Sequence, residues 1–360
     1  MEHPPVSVVM PVRNEERHLA QSVRHVLSQD YPGEFELVLA VGPSADRTEQ
    51  IAAELAAAEP RLTVVPNPTG QIPAALNAAF RAARHAVIAR VDGHAMLPPG
   101  YLTAAVATLK DTGAADVGGV MAAEGETPFQ QAVAWAMTSK AGVGSAAFHT
   151  GGGAGTALSV YLGVYRRAAI EQAGGWDEGM LRAEDWELNH RIRAAGGVVW
   201  FTPDLRVTYR PRASVRTLAS QYFHYGRWRR VIVREHPETA SFRYLAPPGV
   251  AALVGGGLFL GVSGLCALAS PRPAPVGIYW LTAGFVIPVI YAAGVTAAGV
   301  GLSRGLPAKI RLRTPLALGT MHMAWGTGFL SCPPNLHRKP DTRVGQPAAS
   351  TESPAPAGRE

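Results

Sequence analysis

The feature that most limits what this chain can fold into is the distribution of its charges. They are abundant up to Arg243 and then nearly vanish: Tyr244 to Pro271 carries none, Pro273 to Ser303 carries none, and only Arg272 lies between. Each run exceeds the roughly 20 apolar residues needed to cross a bilayer core. Buried helices of a soluble protein share such a composition, but the Gly255-Gly256-Gly257 cluster costs a soluble helix stability, whereas small residues let membrane helices approach closely. The reading is two membrane helices, about 246–270 and 276–302. Arg227, Arg229, Arg230, Arg234 and Arg243 precede the first, and Arg304, Lys309, Arg311 and Arg313 follow the second. The positive-inside rule then places both flanks, and residues 1–243, in the cytoplasm, as a multi-pass protein of the cell membrane.

A third uncharged stretch, about 315–332 within a membrane segment of 244–336, holds His322, three glycines and Trp325. It could span or lie in the interface. Residues 337–360, rich in Pro, Ala, Ser and Thr, lack apolar periodicity and read as a disordered tail. The net charge of +6 is concentrated beside the proposed membrane helices, so anionic headgroups account for it and no nucleic-acid partner is expected. Two cysteines, Cys266 and Cys332, both in or beside apolar runs, argue against a disulfide framework. The N-terminus has no basic segment followed by a long apolar one, so no cleaved signal is expected.

Residues 1–243 alternate short apolar strands with helical patterns. Val6 to Val12 reads as a strand, with a helix through Leu19, Val23, Val26 and Leu27; Phe35 to Val41 is a strand and Thr48 to Ala58 an Ala-rich helix. Arg61 to Val65, Ile72 to His85 and Ala86 to Val91 continue as strand, helix, strand. Continuous apolar strands alternating with helices predict an α/β fold with a parallel sheet covered on both faces. Ligands of such sheets bind beyond the carboxyl ends of the strands, where Arg13, Asn14, Pro43, Ser44, Asp46 and Asp92 fall. Glu184 and Asp185 open an amphipathic run through Trp186, Leu188 and Ile192. An acidic first turn needs no functional explanation, but it also places a carboxylate where it can take a proton.

Six segments occur in a telling order: VSVVMPVRNEE (6–16), PSADRT (43–48), Ala75-Leu76-Asn77, RVDGH (90–94), GGWDE (174–178) and EDWELNHRIRAAGG (184–197). In this the chain resembles the family-2 inverting glycosyltransferases, over about residues 5–335. Through Gln221-Tyr222-Phe223-His224-Tyr225-Gly226-Arg227-Trp228 and its apolar C-terminal segments it is similar to their membrane-bound bacterial ExoA-like subgroup of succinoglycan biosynthesis. The resemblance implies a GT-A-like, Rossmann-type sheet with flanking helices.

It also implies roles. Pro11, Arg13, Asn14, Glu15, Ser44, Asp46, Gly70, Asn77, Arg90 and Asp92 would form the nucleotide-sugar pocket. A helix cap explains Asp46 as well, and a turn with a helical Asn explains Gly70 and Asn77. Asp92-Gly93-His94 stands where the family carries Asp-x-Asp, which holds a divalent metal on the diphosphate; an imidazole suits Mn²⁺ better than Mg²⁺. Where the family often has an acidic pair, this chain has Val41-Gly42, which leaves the nucleotide base open. Asp185 would be the base that deprotonates the acceptor hydroxyl, with Glu184 in support or as its substitute. Gln221, Arg227 and Trp228 resemble, at longer spacing, a Gln-x-x-Arg-Trp motif whose Arg meets phosphate and whose aromatic stacks on sugar; an interfacial amphipathic helix explains them equally. His149 with Gly151-Gly152-Gly153 reads as a surface loop or a lid.

The expected activity is therefore metal-dependent, inverting transfer of one hexose from a nucleotide-sugar donor to a polyprenyl-phosphate-linked or glycolipid acceptor, in polysaccharide or glycolipid synthesis. A processive polysaccharide synthase would need more membrane helices. A non-catalytic membrane scaffold would fit His94 and the missing acidic pair, but not Glu184-Asp185.

Overall fold

The computed structural model describes residues 3–144, 146–271 and 274–337. The proposed tail from 338 onward and Arg272 of the inter-helix loop lie outside them. The elements are β1 (Val6–Val12), α1 (Leu19–Leu27), β2 (Phe35–Val41), α2 (Thr48–Ala58), β3 (Leu62–Pro66), α3 (Ile72–Ala82), β4 (Val87–Arg90), α4 (Tyr101–Thr112), β5 (Asp116–Ala123), α5 (Pro128–Thr138), α6 (Lys140–Val143), α7 (Ala147–Thr150), β6 (Gly155–Thr156), β7 (Tyr161–Arg166), α8 (Arg167–Ala173), α9 (Glu184–Ala194) and β8 (Val199–Tyr209). After these come α10 (Val215–Glu235), a 3₁₀ turn at Pro237–Thr239, α11 (Phe242–Leu268), α12 (Val276–Leu302), α13 (Ala308–Arg311) and α14 (Thr314–Leu330).

All eight strands join one sheet, in the order β3-β2-β1-β4-β7-β5-β8-β6. The first four are mutually parallel, as the alternation predicts. The sheet is mixed beyond them: β7 runs antiparallel to both β4 and β5, and β6 is antiparallel to β8. No periodicity after residue 94 announces this, because β7 is inserted from a distant part of the chain.

Successive strand residues point to opposite faces, and both faces are buried. Val6, Val8, Met10 and Leu37 meet Leu19, Val23, Leu102 and Val106 of α1 and α4 on one side. Val9, Val38 and Ile88 meet Leu76, Ala79, Leu188 and Ile192 of α3 and α9 on the other. That double burial fixes the register, since a one-residue slip would exchange the two faces. It also aims the loops after β1, β2 and β4 at a common edge.

At the C-terminal end, α11 and α12 are each 27 residues long and apolar enough to cross a membrane. Phe259, Tyr279 and Ile290 on them are mostly exposed, at 77%, 71% and 65%. The two helices touch through glycine: a Cβ on Gly284 would sit 2.2 Å from the Gly261 nitrogen, and one on Gly257 2.6 Å from the Gly284 oxygen. Segment 314–330 behaves differently. It spans about 25 Å at 1.5 Å per residue, and Ala317, Leu318 and Met321 are buried against Val133, Met137, Leu218 and Tyr222 of α5 and α10.

Candidate active site

The loop after β1 is tied to the loop after β2. Asn14, with φ of 55°, accepts from the Ala45 amide at 2.8 Å through Oδ1, and its own amide donates to Ser44 Oγ at 3.1 Å. The Glu15 amide donates to Thr48 Oγ1 at 2.7 Å, and that of Glu16 to Asp46 at 3.2 Å. Asp46 also accepts from the Thr48 amide at 3.0 Å. These bonds hold its carboxyl below the usual range, that of the Thr48 hydroxyl first among them. The N-cap position of α2 falls on Arg47, without a side-chain cap bond, so Asp46 braces the turn before the helix rather than capping it. Arg13 donates to the carbonyls of Pro43 and Gly70, both at 3.3 Å. A Cβ at Gly42 would stand 3.0 Å from the Gly70 Cα, so the two loops approach closely here.

Arg90, at the end of β4, organises the other half. It is 5% exposed and contacts three carboxylates: Asp92 at 3.1 Å, Glu184 at 3.1 Å, and Asp185. Burial opposes its charge, but the fields of Asp185, Asp92 and Glu184 override it and its pKa lies above the ordinary arginine value. The sequence places Arg90 in the donor pocket; the fold makes it the bridge between positions 92 and 185. Trp176 of the GGWDE segment is 2% exposed and its indole Nε1 donates to Asp185 at 3.4 Å.

The two members of the acidic pair differ. The Glu184 side chain is 9% exposed and that of Asp185 23%. Burial lifts the Glu184 carboxyl to about 7, against the pull of Arg90. Asp185 is therefore the member that solvent, and any ligand, can reach. Ala183 precedes the pair with φ of 62°, a conformation that non-glycine residues adopt at a cost and that concentrates at working sites.

His94 Nδ1 lies 2.8 Å from Glu15 Oε1. That bond, ahead of the opposing burial, raises the imidazole pKa. It also turns Nε2 outward, as carboxylates do for metal-binding histidines. Asp92 and His94, two residues apart, supply a carboxylate and an imidazole close to Glu15 and the Pro11 carbonyl, the latter 3.5 Å from a Cβ on Gly93. Among the described residues they do not form a preformed three-ligand cluster, and one carboxylate with one imidazole suits a divalent cation that takes most of its shell from ligand oxygens.

Four residues expected at the site make other contacts in the fold. Asn77 is committed to the GGWDE segment: its side chain donates to the Trp176 carbonyl at 2.8 Å and to Glu178 at 3.0 Å, and accepts from the Trp176 amide at 2.9 Å. It secures Trp176, and through it Asp185, rather than facing an open pocket. Trp228 is 3% exposed, packed with Met180, Trp186 and Ile232, so neither ring face is open to a sugar. Gln221 donates to the hydroxyls of Tyr209 and Tyr225 at 2.8 and 3.0 Å, and Arg227 lies over Phe223. His149, read as part of a loop, belongs to the short helix α7.

The residue that the sequence reading passed over is Arg229. It is 7% exposed, sandwiched between the rings of Trp186 and Tyr244 at 4.4 and 3.8 Å. Its Nη1 is buried without a hydrogen-bond partner. Burial, with Arg243 nearby, depresses its pKa to about 10. Arg193, with a buried Nε likewise without a hydrogen bond, and Arg243, over the Tyr244 ring, complete a cationic group. The only advance signal was an arginine beside an aromatic, a pattern that the flanks of a membrane helix repeat many times.

Comparison with known proteins accords with this geometry. The Glycosyl transferase family 2 model matches residues 7–174. Succinoglycan biosynthesis protein ExoA of Rhizobium meliloti (strain 1021) is 31% identical over 325 residues, covering 89% of this chain and 93% of that protein. A dolichyl N-acetyl-alpha-D-glucosaminyl phosphate 3-beta-D-2,3-diacetamido-2,3-dideoxy-beta-D-glucuronosyltransferase of Methanococcus voltae is 22% identical over 239 residues, 64% of this chain and 74% of that protein. Among solved structures, the mannosyltransferase PcManGT from Pyrobaculum calidifontis, in complex with GDP-Man and Mn²⁺, superposes with a TM-score of 0.56 at 19% identity, over 91% of this chain and 88% of that one. That likeness is one of fold, and it is the GT-A-like sheet that the resemblance implies. With near-complete coverage by a relative above 30% identity and a family match spanning the donor-side strands, the chain belongs to the family 2 glycosyl transferases.

Proposed function

We propose that this glycosyltransferase moves a single sugar from a nucleotide-sugar donor to a lipid-linked acceptor, with inversion and with a divalent cation, at the cytoplasmic face of a membrane. The observation that carries the reading is Arg90, which draws Asp92 and the Glu184-Asp185 pair around one point. The donor would lie along Pro11, Arg13, Asn14, Glu15, Ser44, Asp46 and Gly70, at the carboxyl ends of the strands, where such sheets bind ligands. Asp92 and His94 would hold the cation, Mn²⁺ by preference of the donor set, or Mg²⁺. When bound, it neutralises charge that develops on the departing diphosphate.

Asp185 takes the acceptor hydroxyl proton as that oxygen bonds to the anomeric carbon and the bond from that carbon to the diphosphate oxygen breaks. A single displacement from the opposite face inverts the centre. Arg90 and Trp176 hold the Asp185 carboxylate in place, and buried Glu184 supports it. Three carboxylates face one guanidinium, an excess of negative charge that favours binding a cation at Asp92 and a proton on Glu184.

Two features support a lipid-linked acceptor for polysaccharide or glycolipid synthesis. Arg193, Arg229 and Arg243 form a cationic group beside Trp186, one residue from Asp185 and at the start of α11. A buried guanidinium between two rings, with an edge unsatisfied, is a fitting partner for the phosphate of such an acceptor. The names of two relatives lend support: one is a succinoglycan biosynthesis protein, and another is named for a dolichyl-linked phosphate substrate. Residues 1–243 would form the cytoplasmic transferase domain and 244–336 the membrane segment, anchored by α11 and α12.

The decisive measurement is release of nucleoside diphosphate from a panel of nucleotide sugars with lipid extract and Mn²⁺. Asp185→Asn should lower the rate by about 10²–10⁴, the usual contribution of a general base, while donor-induced thermal stabilisation persists. Undiminished turnover in that variant would remove Asp185 from the mechanism.

A further inference from the structure

We infer that His190, His236 and Glu238 form a second divalent-metal site, of the zinc class, that staples the helix carrying Glu184 and Asp185 to the entry of the membrane hairpin. The three side chains come from separate elements: α9, the end of α10, and the 3₁₀ turn that leads into α11. Among the described residues they are the set of three metal-ligating side chains whose donor atoms all lie within 4.8 Å of one another. His190 Nε2 is 3.2 Å from Glu238 Oε1, and His236 Nδ1 is 3.9 Å from the same oxygen. The two imidazole centroids are 4.2 Å apart.

Those spacings are close to the geometry of a bound ion. Ligands about 2.0–2.2 Å from a four-coordinate zinc stand about 3.3–3.5 Å from one another. Small side-chain rotations would bring the donors to that separation, because Glu238 is mostly exposed and His236 partly so. His190 is held more firmly, its ring stacked on Trp186 at 5.5 Å with 6° between the planes. Two imidazoles and one carboxylate favour zinc, cobalt or nickel over magnesium or calcium, which prefer all-oxygen shells.

The location gives the site a purpose. His190 lies on the helix that begins with Glu184-Asp185, and Glu238 lies just before Phe242, where α11 starts. An ion joining them would add a coordinate-bond tie between the transferase helix and the start of α11, beside the Trp186–Arg229–Tyr244 stack.

The test uses the full chain in detergent, stripped with chelator, reloaded with zinc alone and desalted, with zinc per chain measured by elemental analysis. The wild type should retain one zinc. Asp92→Asn should retain it too, which separates this site from the donor site whatever happens to turnover. His236→Asn should lose it, and Glu238→Gln should weaken binding by at least the 10–100-fold typical of even outer-shell losses. Both substitutions are at accessible side chains, so they remain informative if His190→Asn fails to fold. Cobalt in place of zinc should give the visible absorption of a four-coordinate ion, absent from His236→Asn. No retained zinc in the wild type, or equal retention in His236→Asn and Glu238→Gln, would overturn the site and leave a plain hydrogen-bonded His-Glu-His triad.

Discussion

Arg90 stands where several requirements meet, and its replacement should show it. Removing one partner of a buried ionic network leaves the others uncompensated, which costs about 3–5 kcal/mol; here three carboxylates would be stranded. Arg90→Leu should therefore unfold at markedly lower denaturant than the wild type, and added Mn²⁺ should recover part of the loss. Two further residues exchange the roles that their motif suggests. Trp228→Ala removes a core side chain and should cost about 3–5 kcal/mol of stability, with little change in acceptor KM for the fraction that folds. Arg229→Gln should do the opposite, raising acceptor KM while donor KM holds. Steady-state kinetics with the two substrates varied independently separate these outcomes.

The helices α10 and α14 meet through glycine. A Cβ at Gly226 would fall 2.0 Å from the Trp325 carbonyl oxygen, and one at Gly328 2.0 Å from that of Phe223. Both contacts are between α10 and α14, so this pair is built at backbone distance. Gly226→Ala should cost about 1–3 kcal/mol, the usual penalty of overpacking, read as a lower Tm of the full chain in detergent; an unchanged Tm would mean that the helices are free to separate. Why α14 packs while α11 and α12 present apolar rings outward follows from composition. Gly226 on α10 and Gly326 and Gly328 on α14 give it smooth faces toward α10 and α11, whereas the glycines between α11 and α12 serve only that pair and Phe259 and Tyr279 point away from it. At the other end of the fold, Asp46, one residue ahead of the Arg47 N-cap of α2, accepts from the Thr48 amide and from the Glu16 amide, so one side chain joins the start of that helix to the loop after β1.

At the scale of the whole molecule, buried carboxyls give the protein a pH dependence of definite sign. Glu184 is raised from its ordinary 4.5 to about 7, and burial, with the field of Asp185, also raises Asp116 well above its ordinary value. The folded state thus binds protons that the unfolded state has released, and stability falls as pH rises through that window. Glu36, Asp46 and Glu59 shift downward, so their contributions change only below the ordinary carboxylate range. His149 and His190, held low by burial, change in the opposite sense. A comparison of Glu184→Gln with the wild type isolates the one carboxyl: in chelator, the difference in Tm should grow in favour of the variant between about pH 5 and about pH 8. A difference that is flat with pH would show that Glu184 is not held protonated by the fold.

By itself the sequence determined the four parallel strands at the N-terminal end, the helices between them, the two long apolar helices near the C-terminal end and the pairing of Asp92 with Glu184-Asp185. Each rests on a local signal: period-2 or uninterrupted apolar runs, a long uncharged stretch, or short motifs in order. The antiparallel insertion of β7, the bridging of Arg90, the enclosure of Trp228 and the exposure of Arg229's neighbours to one another were decided by tertiary structure alone. The reason is that burial and charge compensation are properties of what lies opposite a side chain. Trp228 and Arg229 are adjacent in the chain and share one helix, yet one faces the core and the other a pair of rings contributed by α9 and α11. No window of sequence around residue 228 contains the partners, 42 and 16 positions away, that make the difference.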